Sequence, residues 1–148
     1  MEYPNTQDVL TLPPDYKLYK DRDISIATFL GGPPIAGYLA AENFKRLGET
    51  RKARVAWIIA IVVTILIFAS VFLIPGIERI PSYLIPLIYS TLARFLVQKY
   101  QGAELKAHAF AGGQFYNVWR AVLISLIGLA VLLGLLFALI YLADTPPA

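Results

Sequence analysis

Cysteine is absent from this 148-residue chain, which removes disulfides, thiolate catalysis and cysteine metal centres together. Charge is also scarce, with Asp, Glu, Lys and Arg at 16% of residues against 57% apolar. That balance excludes a disordered or nucleic-acid-binding chain and argues against an ordinary soluble domain. No acid lies in any long apolar run, so there is no paired carboxylate to relay protons or cations inside a membrane. An HExxH pair, a serine elbow and a phosphate-binding glycine loop are missing too, which points away from an enzyme and from a resident cofactor or metal.

What is present is length without charge. Val55 to Pro75 is a 21-residue uncharged run, and Ala121 to Ala143 is another of 23. At about 1.5 Å per residue each is long enough to cross a hydrocarbon core of about 30 Å as a helix. Two further segments read as spans with defects. Ile24 to Ala41 is uncharged over 18 residues but carries Gly31, Gly32, Pro33 and Pro34 at its middle. Those residues remove two backbone donors and disfavour helix before each proline, so this segment is a broken span or a re-entrant hairpin. Ile80 to Gln98 holds Pro81, Pro86 and one charge, Arg94, and reads as a kinked span. The expected fold is therefore an all-α, four-helix transmembrane bundle with spans near 24–41, 55–75, 80–98 and 121–143. A polar tail, 1–23, precedes it, and a short tail, 144–148, follows. The first tail mixes five acids with three bases and lacks the apolar core of a signal peptide.

The basic residues, 13 in all with a net charge of +3, cluster between the apolar runs. Glu42 to Arg54 holds five, Gln98 to Arg120 holds three, and the turn from Gly76 to Ile80 has only Arg79. The positive-inside rule places both long loops in the cytoplasm. With four crossings the N-terminus faces outward; with a re-entrant first segment it stays inside and the chain crosses three times. Trp57, Tyr100, Tyr116 and Trp119 then sit at the inner interface, and Tyr83 and Tyr141 at the outer one. A shift of 53 residues superposes Pro33 on Pro86, Ile35 on Ile88, Leu39 on Leu92 and Ala40 on Ala93. This pattern suggests two helical hairpins repeated in the same sense.

Few residues are candidates for a site. Gly31, Gly32, Pro33 and Pro34 offer unwound backbone at mid-span, which needs cover from another helix or a partner. Gly134, between Ala130 and Ala138 on one face of the last span, allows such close approach. Arg94 is the one charge inside a span, positioned to snorkel to the interface or pair with Glu42. His108 follows Glu104 by one helical turn, a pair that supplies two ligands where zinc catalysis needs three. An amphipathic helix lying at the lipid surface is the plainer account of that stretch.

The strings ISIATFLGGPPIAGYLAAENFKRLG and QGAELKAHAFAGGQFYNVWRAVLI resemble a group of small bacterial polytopic inner-membrane proteins of unassigned function. The resemblance covers most of the chain after the first tail. It implies a multi-pass protein of the bacterial inner membrane and transfers no catalytic or binding residue. The function expected is non-enzymatic, through contacts with lipids and with another membrane protein or a second copy, as an accessory subunit, regulator or immunity-type protein. The alternative is a small homo-oligomeric transporter or channel using the broken first span.

Overall fold

The computed structural model describes residues 12–144, so most of the first tail and the last four residues lie outside the described part. The architecture is all-helical. A two-residue strand β1 (Lys17–Leu18) leads into α1 (Asp21–Gly31), α2 (Pro33–Arg46) and α3 (Thr50–Leu73). After a 3-10 turn at Ile77–Arg79 come α4 (Leu84–Phe110), β2 (Gln114–Phe115) and α5 (Val118–Asp144). β1 and β2 pair in parallel, Lys17 opposite Gln114 and Leu18 opposite Phe115. Two helices, α3 and α5, are long and apolar enough to cross a membrane.

The segment from 24 to 41 does not run through as one rod. Gly32 adopts φ 82° and ψ 179°, a left-handed φ that a side chain resists, and Pro33 and Pro34 open α2, where their missing donors cost no helical bond. The chain doubles back there. The Tyr19 backbone N–H donates to Asn43 Oδ1 at 2.8 Å, and Asn43 Nδ2 donates to the Tyr19 carbonyl at 2.8 Å. In a straight helix those residues would stand about 36 Å apart. Residues 21–46 thus form a helical hairpin.

This hairpin is the hub. α1 packs on α4 and α5, and α2 packs chiefly on α3. Among the described residues α3, α4 and α5 form no comparable seam with one another. The buried cluster accordingly gathers on the hairpin: Tyr19, Ile24, Ala27, Ile35, Leu39 and Ala40, met by Val97 of α4 and Ala121 of α5. Residues 17–19 are thus no free polar tail, since Leu18 and Tyr19 are fully buried.

Two further expectations change. Pro86 is the third residue of α4, in the first turn where amide groups lack helical partners, so it starts the helix and puts no kink within it. Both α2–α3 and α4–α5 run first toward the basic end and then away from it, as repeated hairpins would. α2, however, has 14 residues against 27 in α4, and α1 has no counterpart in the second half.

Candidate functional site

At the basic end, three separate segments meet on one amide. Besides its two bonds to Tyr19, Asn43 Nδ2 donates to Gln101 Oε1 at 3.0 Å, and Gln101 Nε2 donates to the Ala40 carbonyl at 2.8 Å. Both side chains are about 1% exposed. Tyr19 extends the network to α5, its hydroxyl accepting from Arg120 Nε at 2.9 Å while its ring tilts against Tyr116. Burial pushes the Tyr19 hydroxyl above the ordinary tyrosine range despite the opposing pull of Arg120. It therefore stays neutral at physiological pH. Neither Asn43 nor Gln101 stood out in the sequence, because one Asn and one Gln 58 positions apart carry no local signature.

Beside this network lies a polar rim on which Arg94 takes a different partner from the one expected. Arg94 Nε donates to Asp21 Oδ2 at 3.1 Å, Gln98 Nε2 donates to the same oxygen at 2.7 Å, and Glu42 is not involved. Helix α1 runs antiparallel to α4, which sets Asp21 beside Arg94 and Ser25 beside Ser90, whose carbonyl accepts from the Ser25 hydroxyl at 3.0 Å. Partial burial would raise the Asp21 pKa, but the donors on Gln98 and Arg94 outweigh it and hold the carboxyl below its ordinary range. Asp23, 4% exposed, is shifted the other way by burial, only partly offset by Lys20 and Arg22. Glu42 instead leaves Oε2 buried without a hydrogen bond.

His108 and Glu104 do not form a joint site. His108 is 2% exposed, stacked on Tyr16 with ring centroids 5.0 Å apart and edge-on to Phe115 at 5.2 Å. Its Nε2 donates to the Gln114 carbonyl at 2.9 Å, and Nδ1 is buried without a hydrogen-bond partner. The histidine thereby clamps the β1–β2 crossing. Glu104 lies toward Lys52, whose charge it helps to hold. Among the described residues no group of three His, Asp or Glu side chains is placed to hold a metal.

The glycine-proline break is covered from within the chain. A Cβ on Gly31 would lie 3.0 Å from both Cβ and the carbonyl oxygen of Ser125, so α5 closes on the hairpin tip at that point. Its contact surface is Ser125 and Gly128, the latter facing Ile35, and not Gly134, around which the same test finds open space.

An apolar groove of about 480 Å³ lies between α3 and α4, floored by α2. It forms because α3 leans on α2 while α4 leans chiefly on α1, and the two walls do not close on each other. Ala36, Gly37 and Ala40 make a shallow floor, Ile59 and Val63 line one wall, and Leu92 and Leu96 line the other. Arg51 and Lys52 stand at one end with Tyr100, while Pro33 and Tyr89 mark the deep end. No acidic residue lines it. Comparisons with protein families, with curated proteins and with solved structures find no match.

Proposed function

We propose that this chain is a multi-pass protein of the bacterial inner membrane that acts without catalysis, by lateral contact with another membrane protein or a second copy. α3, α4 and α5 cross, and the α1–α2 hairpin enters from the cytoplasmic face and returns to it. The basic stretches 42–54 and 98–120 share that face with Tyr19, in accord with the positive-inside rule. The apolar side chains left exposed along both long helices, such as Ile65 and Leu66 on α3 and Leu133 and Phe137 on α5, suit a lipid solvent.

One observation carries the contact reading. The tip of the hairpin meets α5 at Ser125 and Gly128, about 15 Å from the start of that helix. Beyond that level the three crossing helices lose their shared support, and residues 129–140 of α5 are exposed except for half-buried Leu132. A protein built to stand alone would close such helices on each other, because association within a bilayer depends on packed seams. Here the seams are left for a neighbour. A photoreactive residue at Leu133 or Phe137, installed in cells, should give a discrete protein adduct, and one at Trp119 should not. Lipid adducts alone at both depths would contradict the proposal, and a ladder of self-adducts would favour a homo-oligomeric transporter or channel.

A further inference from the structure

The groove has two chemically distinct parts, and together they describe an amphiphile. Between Tyr89 at the deep end and the cations at the mouth, the walls give nothing to a polar ligand. The Thr28 hydroxyl is committed to the Ile24 carbonyl at 2.6 Å, and the Gln101 amide is committed to Ala40 and Asn43. A polar group moved into such a lining would lose its water without replacement. At the mouth the chemistry reverses. Residues 42–54 carry a net charge of +3, and Lys99 adds another cation beside Tyr100. Lys52 lies over the Phe44 ring and pairs with Glu49, with Glu104 nearby, so part of its charge is spent. Arg51 has no ion pair among the described residues and is exposed at the groove's end.

Length and charge together point to the occupant. From Arg51 to Val63 the groove follows about 18 Å of α3. One extended hydrocarbon chain fits that length, and the cations at the mouth suit an anionic headgroup. We propose that the groove holds one acyl chain of an anionic phospholipid of the cytoplasmic leaflet, with its phosphate at Arg51 and Lys52. This rests on the membrane placement proposed above.

Physical reasoning also says where selectivity must come from. A tail leaving the bilayer for an apolar groove exchanges one hydrocarbon setting for another, so the tail alone discriminates little. The headgroup charge does the selecting, and the groove fixes its position. Lipids with the same two chains but a zwitterionic headgroup should therefore compete poorly.

The test uses the full chain in nanodiscs of phosphatidylglycerol and phosphatidylcholine with identical chains, followed by native mass spectrometry in mild detergent. One phosphatidylglycerol per chain should be retained in preference to phosphatidylcholine by about tenfold, given two cations at the membrane surface. Arg51→Gln with Lys52→Gln should abolish the preference, and Leu92→Trp should remove the retained lipid while leaving the fold intact by circular dichroism. A photoreactive acyl chain should label peptides from 55–63 and 89–97. Equal retention of both lipids, or a preference that survives the double Gln variant, would overturn the proposal and leave the membrane placement standing. Cross-linked dimers through Leu92 would overturn it in favour of a second copy. A chain that fails to fractionate with membranes would instead sink the placement itself.

Discussion

Asn43 does at residue scale what no helix pairing does. Its one amide satisfies the backbone of Tyr19 on both sides and reaches Gln101, tying the hairpin's entry to its exit and both to α4. Each buried group that loses its partner costs about 1–3 kcal/mol. Asn43→Ala should therefore destabilise the fold by about 2–4 kcal/mol, measured by titration with a denaturing detergent. Asn43→Asp should be no better, because a carboxylate can accept from the Tyr19 N–H but cannot donate to the Tyr19 carbonyl or to Gln101. The two acids of α1 give a second residue-scale prediction, through opposite signs. The depressed pKa of Asp21 means that its contribution is present above its unfolded value near 4 and is lost as pH falls through the lower folded value. The raised pKa of Asp23 means that its charge opposes folding at neutral pH and that acid relieves the cost. At pH 7, Asp21→Asn should lower stability and Asp23→Asn should raise it. Both differences should vanish at a pH below both folded values. The same sign for both variants at pH 7 would contradict the assignment.

At element scale the hairpin depends on two adjacent glycines that do different things. Gly32 supplies a backbone angle, and Gly31 supplies closeness to Ser125. Gly32→Ala should cost about 1–3 kcal/mol, the penalty for a side chain at φ 82° and ψ 179°, a region essentially confined to glycine. Gly31→Leu should cost more, because its neighbour at 3.0 Å includes the Ser125 backbone, which cannot swing aside. Membrane insertion should persist in both, and detergent gel filtration with a membrane-fraction blot separates insertion from assembly. The break itself was legible in the sequence, since two prolines after two glycines leave few helical options. Its angle was not, because a kink and a full reversal require the same residues, and the choice is made by Asn43 at a distance of 24 positions. Likewise the two clean apolar helices were legible from length alone. The burial of Leu18 and Tyr19 was not, because a tail of mixed charge shows no period when only two of its residues dock. Gly134 and the Glu42 partner for Arg94 were argued from spacing on single helices, whereas the contacts at Ser125 and Asp21 depend on how α1 and α5 lie together.

At the scale of the whole molecule, a short hairpin carries the packing, and three longer helices lean on it without closing on one another. This arrangement explains why the cluster of buried residues is small and why it lies toward one end. Under the membrane placement proposed above, a hairpin that returns to its starting face leaves Lys20 and the loop from Leu47 to Glu49 on the same side. The absence of cysteine makes that claim directly measurable by single-cysteine variants in right-side-out and inverted vesicles. Lys20→Cys, Gly48→Cys and Gly76→Cys place a thiol before the hairpin, after it, and at the far end of α3. The account predicts that an impermeant maleimide labels the first two only in inverted vesicles and the third only in right-side-out ones. Labelling of Lys20→Cys from the outside, with Gly48→Cys still labelled from the inside, would show that the first segment crosses the membrane and would contradict the re-entrant hairpin.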